Sequence, residues 1–349
     1  MKSYPPQGGG TQKLRNSSIE LYRILATFAV IIVHFNGWFV EMRGFNYNHP
    51  TLIGAGQMII ESATIICVNM FLIISGYFGI KLKLSSLIRI GLLLLFIRVP
   101  FFFLNVAYVG SFNLRSFIGS FLVFSAAGYF IQCYLMLMFL SPMLNSFVGK
   151  YGRRILPWTI SLLAIEFYFD AIRGPMECLG IMRGYAITHF VLMYMLARCV
   201  FLYKQDIMKV KARFWGYGYI VCTCVICLFH VLGIEWTFGY SNPVVVISSL
   251  CSFIPFIYHD FYIKSINWIA NSTFAVYIIQ VTRPAYDFLV RIDNYLLGAF
   301  PYAQYLVYSL AIIIAFFFFC ILYDKLCGLF ISPIINKLKL KIDRKFEYL

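Results

Sequence analysis

Beyond residue 18, apolar positions come in long, nearly unbroken runs, not in the short amphipathic periods of soluble helices and strands. Ten such runs predict helices over 19–40, 52–80, 85–108, 128–148, 155–172, 181–203, 214–234, 240–258, 266–290 and 301–326. Each is roughly 18–29 residues, enough to cross a ~30 Å hydrocarbon core. The stretch 111–127 is apolar but interrupted, and reads as an interfacial or re-entrant piece. Residues 1–18 are polar and glycine-rich, with no signal-peptide pattern, and read as a flexible cytoplasmic tail. Residues 331–349 read as a basic cytoplasmic tail, and 19–330 as one membrane domain. The expected fold is an all-α polytopic membrane protein, about ten transmembrane helices in one bundle.

Composition narrows the classes. Hydrophobic residues make up 61% of the 349, and charged residues 12%. Too few polar residues exist to cover a soluble domain, which excludes a soluble enzyme, and the hydrophobicity excludes disorder. The 10 cysteines fall mostly inside apolar runs, so no disulfide framework is implied. The net charge of +15 would suggest nucleic acid in a soluble protein. Here it is topological. Nineteen of the 29 Lys and Arg residues fall on the side of the N-terminus, clustered around Lys13, Lys83, Arg153, Lys211 and Lys339. Five (Arg43, Arg115, Arg173, Arg183 and Arg291) fall on the other. That asymmetry predicts both termini in the cytoplasm, with no nucleic-acid partner.

Arg23, Arg98, Arg198, Arg283 and Lys325 fall inside the predicted spans. Such charges face a cavity, meet a partner or snorkel to the headgroups. Lys325 and Arg198 lie near helix ends and suit snorkelling. Arg98 lies mid-span beside Pro100, and its simplest alternative is a buried pair with Glu61, Glu166 or Asp170. Arg23 precedes His34 by eleven residues. Eleven helical steps of about 100° bring the two onto one face, about 16 Å apart along the axis. Glu20 can pair with Arg23 at i,i+3. Arginine suits phosphate, and histidine can move a proton near neutral pH. The alternative is a neutral histidine bonded between helices and an arginine reaching the headgroups. Cys222, Cys224 and Cys227 splay around their helix and make no metal site.

The Arg23-x10-His34 spacing resembles the motif of the type-3 family of integral-membrane acyltransferases. Further segments resemble that family in the same order: Val68–Phe78 with its Ser75-Gly76-Tyr77, Gly128–Tyr134 continuing to Leu140-Ser141-Pro142, Gly184–Phe190, and Asn271–Ile279. The resemblance covers about residues 15–330, and the family's ten-span domain agrees with the count above. Two departures stand out. A paired arginine motif at the start of the third span is reduced to Arg89, and Gln280 stands where the late helix usually carries histidine.

The resemblance implies transfer of an acetyl or other acyl group from cytoplasmic acyl-CoA to a sugar hydroxyl of an envelope polysaccharide or glycolipid. The setting would be a bacterial inner membrane. It implies that His34 is essential and that Arg23 matters with it. The residues then suggest roles. Arg23, Arg89 and Arg198 suit the donor phosphates. His34 suits the general base. Asn69, Ser75, Tyr77, Gln132 and Tyr134 are candidate oxyanion donors. Glu61 could orient His34 or bind sugar, and Gln280 could hydrogen-bond but not act as a base. His189 reads as structural. No bound cofactor is expected, and membrane lipids are the remaining partners. The competing reading is a transporter or flippase for a lipid-linked sugar or other small solute.

Overall fold

The computed structural model describes residues 15–38, 51–122 and 128–342. Among these the protein is all-α, with no strand beyond an isolated bridge between Met176 and Ile181. The organising element is α1 (Ser17–Val33), which continues into a π-helical turn over His34–Trp38. Its start is set by Asn16, whose side chain accepts from the Ser18 N–H at 2.8 Å. α1 is apolar almost all round, as expected of a helix inside a bundle. It packs against α2 (Leu52–Thr64), α3 (Cys67–Phe78), α12 (Lys264–Ala270), α13 (Thr273–Gln280) and α15 (Tyr302–Ile342). Tyr22 is anchored where α1 crosses the turn at 254–258. Its hydroxyl meets Ser252 Oγ at 2.8 Å and its ring tilts against Phe253 and Phe256.

Around this pillar lie α4 (Leu84–Val109), α5 (Leu114–Phe121), α6 (Gly128–Tyr151), α7 (Ile155–Ile172), α8 (Ile187–Leu202) and the short α9 (Lys204–Ile207). α10 (Ala212–Val231), α11 (Pro243–Phe253) and α14 (Arg283–Ala299) complete the set. Six helical segments among the described residues are long and apolar enough to cross a membrane: 17–36, 52–78, 84–109, 128–172, 212–231 and 302–337.

The difference from ten has local causes. The stretch 128–172 is counted as one, although a 3-10 turn at Gly152–Arg154, with Gly152 at φ 55°, divides α6 from α7. α8 is shorter than its predicted 181–203, and 240–258 is α11 plus a 3-10 turn. The predicted helix over 266–290 is three pieces. α12 ends at Ala270, α13 ends at Gln280, and Pro284 sits in the first turn of α14, where its missing N–H costs nothing. α15 runs on to Ile342, so 331–342 continues the last helix instead of leaving it as a tail. At the other end, Ser17 and Ser18 are buried in α1, and Ser17 N bonds Phe261 O at 2.8 Å. The expected flexible tail 1–18 therefore excludes these two. Residues 1–14, 39–50, 123–127 and 343–349 lie outside the described residues, with the parts of the tails, of the first predicted helix and of the stretch 111–127 that fall there; the described part of that stretch carries the short helix α5.

α3 and α8 pack closely at Gly76. A Cβ there would stand 2.5 Å from Tyr194 O and 2.6 Å from the Ala197 Cβ, so backbone would have to move. A Cβ at Gly216, within α10, meets nothing. Gly76→Ala is expected to cost roughly 1–3 kcal/mol, and Gly216→Ala to be neutral or stabilising. Thermal unfolding of the two variants in detergent checks this. Equal midpoints would mean that the α3–α8 contact is looser than its geometry.

Candidate functional site

α-Helical geometry holds through His34, which has φ −66° and ψ −43° and donates its N–H to Val30 O and Ile31 O. Arg23 and His34 are therefore about 20° apart around α1 and about 16 Å apart along it. At the Arg23 end, Glu20 is 4% exposed and is shared by two guanidinium groups. Arg23 Nε lies 3.4 Å from Oε2, and Arg15 Nε 3.3 Å from Oε1. Burial pushes the Arg15 pKa down, Glu20 pulls it up, and the neighbouring Arg23 and Arg89 push it down further. Arg89 also acts electrostatically on Lys325. Two guanidinium groups thus share one buried carboxylate, with Arg89 near enough to act on Arg15, which leaves this end of α1 with a surplus of positive charge suited to an anion.

A cavity of about 250 Å³ opens beside Arg23. Its walls come from α1, α3, α4, α6 and α13, and include Ser75, Tyr134 and Tyr277. Ser75 Oγ donates to Phe71 O at 2.8 Å and meets the Tyr134 hydroxyl at 3.3 Å. The Tyr277 ring lies 5.0 Å from that of Phe130. One guanidinium and four hydroxyl residues, Thr273 being the fourth, on otherwise apolar walls suit an extended chain with an anionic head.

At the other end of the face, His34 is partly accessible between buried Val33 and Phe35. The Gln280 side chain, at the end of α13, lies beside it, close enough to interact. The π-turn that starts at His34 is pinned by Asn36, whose Nδ2 donates to Glu61 Oε2 at 2.9 Å and to Gln57 O at 3.0 Å. Glu61 thus acts on the turn that carries His34. π-Turns concentrate at functional sites because they re-aim side chains.

The remaining predicted residues go elsewhere. Asn69, His189 and Glu166 form one buried chain across α3, α8 and α7. His189 Nε2 meets Asn69 Oδ1 at 2.9 Å, His189 Nδ1 meets Glu166 Oε2 at 3.0 Å, and Asn69 Nδ2 donates to Tyr240 O at 3.0 Å. Both ring nitrogens face acceptors, so His189 is committed to holding three helices together, and Asn69 with it. Tyr77 is packed edge-on among Phe78, Phe201 and Phe253. Arg198 donates to Gly76 O and Tyr77 O at 3.3 and 3.0 Å, capping the last turn of α3, a favourable place for a cation. Gln132 is exposed.

The expected pairing of Arg98 with Glu61, Glu166 or Asp170 is not made. Glu61 holds Asn36, Glu166 holds His189, and Asp170 accepts from Arg183 N and Ser241 Oγ. Asn36 and Arg15 are the residues that sequence reasoning passed over. Asn36 carried a signal, a polar side chain two positions past His34 at the end of an apolar run. Among the described residues no cluster of three His, Cys, Asp or Glu could hold a metal ion.

The chain matches no family model, and searches of curated proteins and of solved structures likewise find no match.

α14 packs against the π-turn and carries Asp293, which is fully buried and accepts from the Tyr305 hydroxyl at 2.9 Å. Burial raises its pKa from 3.8 to about 7, with the Tyr305 bond opposing. A carboxyl raised in the folded state costs stability when it ionises. That cost is absent below about pH 4, grows as the pH rises, and is complete above about 7. Asp293→Asn keeps the acceptor and removes the charge. It is expected to stabilise by on the order of 2 kcal/mol at pH 8 and to change little at pH 4. Unfolding midpoints at the two pH values check this, and an equal shift at both would contradict it.

Proposed function

We propose that this protein is a membrane-embedded acyltransferase of the type-3 kind. It would move an acetyl or other acyl group from cytoplasmic acyl-CoA to a sugar hydroxyl of an envelope polysaccharide or glycolipid. The observation that carries the reading is the α1 face. It sets an arginine cluster beside a narrow cavity at one end and a partly accessible histidine at the other. The Lys and Arg asymmetry supports ten crossings of a cell inner membrane with both termini in the cytoplasm. In this arrangement α8 and α11 cross as short helices, and α12 and α13 cross as one broken segment.

The donor phosphates are bound by Arg23 with Arg15 and Arg89, in the bidentate manner arginine favours. The thin arm of the donor follows the cavity past Ser75, Tyr134 and Tyr277, which offer hydroxyls to its amides. His34 takes the proton of the sugar hydroxyl as that oxygen attacks the thioester carbonyl. Collapse of the tetrahedral species breaks the carbon–sulfur bond, and the imidazolium returns the proton to the departing thiolate. Gln280, beside His34, offers its amide N–H to the oxyanion. A glutamine in that place serves as a donor and leaves His34 as the base.

Reconstituted full-length protein with radiolabelled acetyl-CoA and envelope glycan tests the reading. Transfer is expected to fall by about 10²–10⁴ in His34→Ala. It should persist in His259→Ala, whose side chain is exposed. Equal rates in wild type and His34→Ala would remove His34 as the base. Translocation of a lipid-linked sugar without any acyl donor would favour the transporter reading. Reporter fusions at residues 175 and 208 are expected on opposite sides of the membrane, and agreement between them would overturn the span order.

A further inference from the structure

Another cavity, about 510 Å³, is larger than the one beside Arg23. It lies between α4, α5, the start of α6 and the α13–α14 junction, and both Arg98 and Arg283 line it. Arg98 is nine residues farther along α4 than Arg89, roughly 13 Å at the helical rise. Its one hydrogen bond among the described residues is a 3.5 Å contact to Leu122 O, and no carboxylate there pairs with it. Arg283 is held by Asp287 at 2.9 Å and is largely exposed, so its guanidinium keeps donors for a ligand. The first turn of α14 also opens here without a side-chain cap. An arginine left unpaired within an apolar helix is costly unless something anionic meets it.

A second cavity, about 410 Å³, adjoins the first and shares Phe101 and Pro284 with it. Its remaining walls, from α4, α14 and α15, are aliphatic and aromatic. A cationic chamber opening onto an apolar groove matches a molecule with an anionic head and a hydrocarbon chain. The chamber far exceeds one phosphate, and Asn105, Ser116, Ser120 and Thr282 add hydrogen-bonding groups to its wall. That surplus suits sugar hydroxyls.

We infer that these two cavities form a binding site for a glycosylated lipid phosphate, its phosphate between Arg98 and Arg283 and its chain along the α4–α14–α15 groove. The segment that ends α13 contributes Gln280 to His34 and Ile278, Val281 and Thr282 to this chamber. The end of α13 thus borders both the chamber and the proposed base. As the acceptor site the inference rests on the acyl-transfer reading, but the binding is testable without it.

The experiment is equilibrium binding to full-length protein in nanodiscs, with no acyl donor present. The probes are a short-chain prenyl phosphate hexose, the matching neutral prenyl hexoside, and phosphatidylglycerol as competitor. Wild type is expected to prefer the phosphate probe over the neutral one by about tenfold or more, the scale of a charge-assisted contact. Arg283→Gln and Arg98→Gln should each erase most of that preference. Ala315→Trp, which fills the groove, should weaken both prenyl probes. Equal binding of the charged and neutral probes by wild type would overturn the phosphate assignment, whatever the variants do. Displacement of the probe by equimolar phosphatidylglycerol would make this a site for bulk lipid instead. Intact, phosphate-selective binding in a protein that transfers no acyl group would leave the site standing and remove the acyl-transfer reading alone.

Discussion

Hydrocarbon offers no hydrogen bonds, so every polar group inside this bundle has to find its partner within the protein. Much of the architecture follows from that. Glu20 sits between Arg15 and Arg23, and Glu61 holds the Asn36 amide. Glu166, His189 and Asn69 form a closed chain, and Asp170 ties two loops through Arg183 and Ser241. All but the Glu20 pairs join different elements, and so fix which helices are neighbours more sharply than apolar packing can. Removing one partner of such a buried pair leaves the other without compensation, typically a loss of 3–5 kcal/mol.

The same constraint separates structural from available polar groups. His189 and His34 are both on apolar helices, and residue type alone treats them alike. His189 is saturated on both ring nitrogens by groups from α3 and α7. His34 keeps partial accessibility, at the point where α1 turns from α to π geometry. Arg198 and Arg98 divide in the same way. Arg198 serves the carbonyls at the end of α3, while Arg98 faces a chamber with no acid among the described residues that line it. Chemistry can be assigned only to groups that the scaffold leaves available, which is why the proposed machinery contracts to α1, the Arg23 cavity and the chamber around Arg98.

The broken helix between α12 and α14 links these parts. A continuous helix over 266–290 would present a single sealed face. Its division at Asn271–Ser272 and at Val281–Thr282 gives α13 a free end. From that end Gln280 stands beside His34, while its neighbours line the chamber around Arg98. Irregular backbone within an apolar bundle is tolerated where it borders a cavity, as it does here.

By itself the sequence determined the helical class, the apolar segments and the register that stacks Arg23 and His34. These depend on composition and on the 3.6-residue period, which are local properties. It also carried the Glu20–Arg23 pair, because i,i+3 neighbours must meet on any helix. Only the tertiary structure decided that Asn69 serves His189, that Glu61 serves Asn36, and that Arg98 has no acidic partner among the described residues. It likewise decided where the late helix breaks, with α13 ending at Gln280 and α14 beginning at Arg283. Those outcomes depend on which helices pack together, and partners more than a hundred positions away, as Asn69 and His189 are, leave no periodic trace in a single chain.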